Sequence, residues 1–269
     1  MLAYERFGSG EPLVLVHGIA HRRQAWYPVA ERLAEHREVI LFDLPGHGES
    51  PALELAGRTV QEALQQHLED LFDDLGLVRP HIAGNSLGGR IALEAAASGI
   101  VSSATGLSPA GFWRDDMDFQ LIRAHFTALI TAGRVAAPLA PLLTRSGIGR
   151  RLMLASLMTH GERLDADRVL GDLRNMVDAR HTLRDIIGGA FTFEADIAAE
   201  VPVTIAWGTQ DRVLLPYQGR RARRLLPQAE HIWLQGSGHV PMSDDADAVV
   251  DIILRGSSHG LLARADDAA

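Results

Sequence analysis

Ser86, at the centre of Gly84-Asn85-Ser86-Leu87-Gly88-Gly89, is the residue in this chain best placed to do chemistry. An apolar run, Pro80-His81-Ile82-Ala83, precedes it, and a small-residue helical stretch, Arg90 to Ala97, follows. G-x-S-x-G between a strand and a helix forms a tight turn that holds its central residue in a strained backbone region. Ser86 would stand at the tip of that turn, at the positive N-terminus of the helix, where a developing oxyanion is stabilised. A serine hydroxyl needs a base to attack at neutral pH, and the base needs an acid to orient it. Trp207-Gly208-Thr209-Gln210-Asp211 puts Asp211 just beyond one strand, and Gly236-Ser237-Gly238-His239 puts His239 just beyond the next. Asp115 and Asp116, past an earlier strand, are the alternative orienting acids. Each residue also has a plainer reading: Ser86 as a turn residue, Asp211 as a turn-capping side chain, His239 as a helix cap. His17, His21 and His47 also lie near strand ends. His17 is expected to order its own loop by hydrogen bonding, His47 to serve a turn, and Asp43 to satisfy backbone donors in its turn. No two histidines have metal-ligand spacing on a helix, so no metal is expected.

The elements that must position these loops alternate. An edge strand over 2–7 is followed by apolar strands at 12–16, 38–42, 81–83 and 101–107, with helices at 25–34 and 59–75 and after Ser86. Thr59 and Glu62 have capping-box spacing, Val60, Leu64, Leu68, Leu71 and Leu75 share one helix face, and Gly76 suits a C-cap. Strands at 201–207 and 229–234 and helices at 216–226 and 246–254 resume the pattern. Such alternation predicts an α/β fold, a mostly parallel sheet with helices on both faces, whose functional loops gather at the carboxyl ends of the strands. Between them, residues 112–194 read as helical only, over 119–131, 148–158, 166–179 and 182–191. The expected organisation is a core formed by 1–111 and 195–269 with 112–194 inserted as a helical cap. Residues after Gly256 read as a loose tail that Leu261 and Leu262 could dock.

The chain has 269 residues, enough for one large domain. Its net charge of −8 argues against a nucleic-acid partner. All 26 basic residues are arginine, which reads as codon usage in a high-GC bacterium, and Arg220, Arg221, Arg223 and Arg224 read as a solvated helix face. With no cysteine, disulfides and a thiolate nucleophile are excluded. The first residues lack the pattern of a signal peptide and no apolar run approaches membrane-spanning length, so a cytoplasmic location without a membrane partner is expected.

Five motifs in order carry a resemblance to a known family: His17-Gly18, Asp43-x-Pro45-Gly46-x-Gly48-x-Ser50, the Ser86 elbow, Gly208-x-x-Asp211 and Gly238-His239, with a helical insertion after Leu107. The chain resembles the α/β-hydrolase superfamily along essentially its whole length. The resemblance implies Ser86 as nucleophile, His239 as base, Asp211 as its orienting acid, and the backbone N–H groups of Ile19 and Leu87 as an oxyanion hole. It implies no cofactor and a small-molecule, ester-like substrate. Serine at this position excludes the dehalogenase and epoxide hydrolase chemistries of the superfamily, which use aspartate. Ester cleavage through an acyl-enzyme is the first expectation; thioesters, lactones and carbon–carbon bonds of diketo acids are alternatives. Asn85-Ser86 is similar to the carbon–carbon hydrolases, but these usually carry Trp after the catalytic His, where Val240-Pro241-Met242 stands here. Their substrates also need an anion partner, for which Arg22, Arg23 and Arg114 are the nearest candidates. A binding module using the same pocket is the non-enzyme alternative. Trp26, Phe112, Trp113, Leu214, Leu215, Val240 and Met242 are the expected pocket lining, each equally able to be core.

Overall fold

The computed structural model describes residues 1–189 and 192–258, and of Arg180 and His181 the backbone alone. A docked tail at Leu261 and Leu262 and a helix end at Phe191 therefore lie outside the described residues. Seven strands form one sheet: β1 (Tyr4–Gly8), β2 (Pro12–Val16), β3 (Glu38–Phe42), β4 (His81–Asn85), β5 (Ser103–Leu107), β6 (Val203–Gly208) and β7 (Glu230–Leu234). Their order across the sheet is β1-β3-β2-β4-β5-β6-β7, and only β1 runs antiparallel, against β3.

The apolar runs of the inner strands are continuous because both faces are covered. Side chains alternate across the sheet: Val14 and Val16 join one buried cluster, Leu13 and Leu15 the other. On the first face lie α2 (Val60–Leu75), α3 (Leu87–Ala97) and α9 (Pro216–Leu225); on the second lie α1 (Tyr27–Ala34) and α11 (Ala246–Gly256). The α2 start has its capping box, Glu62 N–H donating to Thr59 Oγ1 at 3.2 Å and Thr59 N–H to Glu62 at 2.8 Å. Gly76 ends the helix in the left-handed region.

Between β5 and β6 the chain is helical: α4 (Asp116–Ala136), the short α5 (Ala140–Leu143), α6 (Gly147–Leu154), α7 (Ala166–Asp178) and α8 (Arg180–Gly188). Neither α5 nor α10 (Pro241–Asp244) is apparent in the sequence pattern; each is a single turn with proline in its first two positions. Among the described residues no helix is long and apolar enough to cross a membrane.

Register places Val16 beside Gly84 and Asn85 beside Leu107, so the loops after β2, β4 and β5 leave the sheet at one edge. After β2 the chain steps outward to β3, then returns across β2 to β4. The carboxyl ends of β2 and β4 thus flank the point where strand order reverses, the usual position of a binding crevice in such sheets.

Candidate active site

Ser86 joins β4 to α3 with φ 57° and ψ −115°, a region that L-residues avoid. A β-carbon on Gly84 would collide with the carbonyl of Gly88, and one on Gly88 with that of Val16, so the turn closes only with glycine at both positions. The strain is held by hydrogen bonds: Ser86 N–H donates to Leu107 O at 3.0 Å, while Ser86 O accepts from Arg90 and Ala110 N–H at 3.0 Å. Leu87, the first residue of α3, leaves its N–H without an intrahelical acceptor.

Past β7, His239 is 3% exposed, and its Nδ1 lies 2.8 Å from Oδ2 of Asp211, itself 2% exposed. The carboxylate accepts this Nδ1–H, which leaves Nε2 as the free lone pair. The other carboxylate oxygen accepts the N–H groups of Val213 and Leu214, each at 2.9 Å, which fixes the acid's orientation. Asp115 instead caps α4 by accepting Asp118 N–H, and both it and Asp116 are exposed.

The His239 loop is tied down by contacts that the sequence did not show. Asn85 Nδ2–H donates to His239 O at 2.9 Å and to Leu107 O at 3.0 Å. The N–H groups of His239 and Val240 both donate to Leu157 O, at 2.8 and 3.0 Å. Buried Asp244 accepts from Gly238, Thr159 and His160 N–H, so it links this loop to the helical segment. The one-turn α10 that carries Asp244 is too short to show a period.

Two histidines brace the loop containing Ile19. His17 Nε2 accepts Leu44 N–H at 2.9 Å and its Nδ1–H points to Gly18 O at 2.8 Å. Burial, with His47 nearby, lowers its pKa well below the ordinary value. His47 Nε2 accepts Ala20 N–H at 3.2 Å and Nδ1–H donates to Pro45 O at 3.0 Å; burial lowers its pKa to about 4. From α7, Asn175 Nδ2–H donates to Ala20 O and His21 O at 3.1 and 2.8 Å, while its Oδ1 accepts Gly48 N–H at 2.6 Å. Asp43 has the role its position suggested: it accepts Arg23 and Glu49 N–H and pairs with the Arg23 guanidinium.

Two cavities meet at Ser86. The larger, about 490 Å³, runs between β2, β4 and the inserted helices, lined by Ile19, His21, Ser86, His239 and Val240 and by apolar groups of α4, α6 and α7, among them Phe126, Met153, Leu173 and Met176. The smaller, about 50 Å³, is bounded by Ile19, Ser86, Leu87, Trp113, Phe119, Phe126 and Leu214. Of the expected lining, Trp113, Leu214 and Val240 reach these walls. Trp26 and Met242 do not: they are fully buried together under the second sheet face with α1 and α11. Phe112 packs against Phe193 and Trp207 in the first-face core, and Leu215 stands 47% exposed at the start of α9. The walls come instead from the inserted helices, where Val169, Leu173 and Met176 share one face of α7 at helical spacing.

In the larger cavity His21 and Asp172 are the remaining titratable pair. Asp172 binds Arg22 at 2.8 Å and Arg168 at 3.0 Å. Burial raises its pKa, but His21, Arg168 and Arg22 outweigh that and hold it below the ordinary carboxylate value. Burial lowers the pKa of His21.

A strained serine elbow, a buried His–Asp pair and a switch-point cavity on a mostly parallel sheet are the marks of one class, and sequence comparison agrees. The chain belongs to the alpha/beta hydrolase family, whose model matches residues 13–252. It is 29% identical over 253 residues to Lipase 1 of Psychrobacter immobilis, covering 90% of this chain and 75% of that one. It is 28% identical over 247 residues to the dihydrolipoyllysine-residue acetyltransferase component of the acetoin cleaving system of Pseudomonas putida, covering 90% of this chain but only 62% of that protein's length. The enol-lactonase of Burkholderia xenovorans LB400 shares the fold, with a TM-score of 0.71 at 20% identity over 96% of each chain.

Proposed function

We propose that the protein is a serine hydrolase that cleaves carboxylic esters of mainly apolar acyl or alcohol groups through an acyl-enzyme. The observation that carries this is the 2.8 Å His239–Asp211 pair beside the strained Ser86 at the meeting point of two cavities. His239 Nε2 takes the Ser86 Oγ proton as Oγ attacks the ester carbonyl carbon. The N–H groups of Ile19 and Leu87 bind the resulting oxyanion; one such donor is worth about 3 kcal/mol. His239 returns the proton to the departing alcohol. Water, deprotonated by the same nitrogen, then hydrolyses the acyl-enzyme and restores Ser86. Asp211 holds the imidazole tautomer and stabilises the imidazolium. In this reading 112–194 is a cap that closes over the site and supplies the substrate walls, and no cofactor takes part.

A relative named as a lipase supports the ester reading, and so do the walls. A diketo-acid substrate would need a buried cationic partner. Arg22 is paired with Asp172, Arg23 with Glu5, Asp43 and Glu49, and Arg114 with Asp118. Arg123, at the rim of the smaller cavity, is exposed. A panel of p-nitrophenyl esters of graded acyl length, beside a vinylogous diketo acid, tests the reading. Turnover of the esters, abolished in Ser86→Ala, is expected. A higher kcat/KM for the diketo acid would overturn it.

A further inference from the structure

From Phe119 to Gly161 the chain has no aspartate, glutamate or lysine, yet it holds five arginines in a protein of net charge −8. This segment forms most of α4, all of α5 and α6, and the turns between them. Arg150 is turned inward, its guanidinium donating to the carbonyls of Thr144 and Glu162. Arg123, Arg134, Arg145 and Arg151 are exposed; of the two acids that flank the segment, Asp118 is buried and paired with Arg114, and Glu162 feels Arg151.

The same surface is apolar. Leu139 is 60% and Ile148 77% exposed, with Val135, Leu142 and Leu152 exposed beside them in sequence. Single exposed apolar side chains are ordinary, but a run of them on consecutive short elements marks an interaction site. Leu152 also lines the larger cavity, so the apolar face is continuous with the wall that leads to Ser86.

We propose that this face of α4–α6 docks on an anionic lipid surface and that apolar substrate passes from there into the cavity. A surface that combines exposed apolar and cationic side chains, with no acid within its own segment, fits a membrane bearing negative headgroups. A second copy of the chain fits poorly, since a two-fold contact would set arginines against arginines. Absence of a spanning helix does not bear on this, because a surface helix lies in the interface. The docking stands independently of the chemistry assigned to Ser86; the delivery of substrate rests on the ester reading.

Co-sedimentation with phosphatidylcholine vesicles, with and without phosphatidylglycerol, tests it. The full chain should pellet with the anionic vesicles and far less with phosphatidylcholine alone, and high salt should release it. Arg134→Glu/Arg145→Glu should weaken binding by at least about fivefold per arginine, and Leu139→Ser/Leu142→Ser/Ile148→Ser should abolish it. Both variants should hydrolyse soluble p-nitrophenyl butyrate like the parent, which shows that fold and site are intact, while Ser86→Ala should still bind vesicles. Binding without any ester turnover would leave docking in place and end the ester reading. Failure to pellet with anionic vesicles at low salt, wild-type binding by either surface variant, or a solution dimer that the triple variant dissociates would overturn the proposal.

Discussion

His47 Nε2 accepts the backbone N–H of Ala20 at 3.2 Å, which requires a neutral imidazole. Ala20 has φ 63° and directly follows Ile19, the proposed oxyanion donor, so the ring braces a strained loop at the site. Burial keeps the folded-state pKa of His47 near 4, against an ordinary value of 6.5. The unfolded chain therefore binds a proton that the folded chain refuses, and this contribution to stability is full above pH 6.5 and lost as pH falls toward 4. Urea unfolding between pH 7 and 4.5 should show a loss to which His47 contributes about 3 kcal/mol at most. His47→Gln, whose amide oxygen can accept the same N–H, should flatten that pH dependence; an unchanged slope would place the proton uptake elsewhere.

Asn175 reaches from α7 to Ala20 O, His21 O and Gly48 N–H, so one side chain positions two loops of the site. Asn175→Ala should lower kcat about tenfold or more with little change in KM, since it loosens the oxyanion loop rather than the substrate wall. Affinity for a boronic acid that mimics the tetrahedral state should fall by the same factor as kcat/KM. Equal losses in kcat and substrate affinity would indicate general unfolding of the segment instead.

Asp211→Asn should reduce kcat by about 10³ to 10⁴, through loss of the imidazole tautomer and of charge for the imidazolium. Asp115→Asn keeps a side-chain oxygen to cap α4 and should leave kcat within a fewfold. Steady-state rates of the two variants decide between the acids: a loss below tenfold for Asp211→Asn would remove it from the role.

Trp113 and Phe112 are neighbours with different surroundings, the first on a cavity wall and the second fully buried against Phe193 and Trp207. Trp113→Ala should change preference among acyl lengths more than thermal stability. Phe112→Ala should cost about 3 to 5 kcal/mol of stability and leave that preference in place. Equal rate losses for all chain lengths in Trp113→Ala would contradict a wall role.

The sheet was legible because buried parallel strands are short apolar runs that end in breakers, as at 12–16 and 38–42. The position of the elbow was legible too, since Gly84 and Gly88 are required by backbone contacts that any closed turn of this kind makes. The walls were not. Trp26 and Met242 look like lining in a list of apolar residues near strand ends, yet the face of their element, not its position in the chain, decides that they are core. Asn85 reaches His239 across 154 positions, Asp244 reaches Thr159 and His160 across 85 and 84, and Asn175 reaches Gly48 and Ala20 across 127 and 155; no spacing rule encodes such contacts.

Covalent capture of Ser86 tests the central claim most directly. The protein should react with a fluorophosphonate in a one-to-one ratio, and peptide mapping by mass spectrometry should find the adduct on Ser86 alone. Ser86→Ala should fold normally and stay unlabelled. An adduct on another serine, or undiminished labelling of Ser86→Ala, would contradict the account.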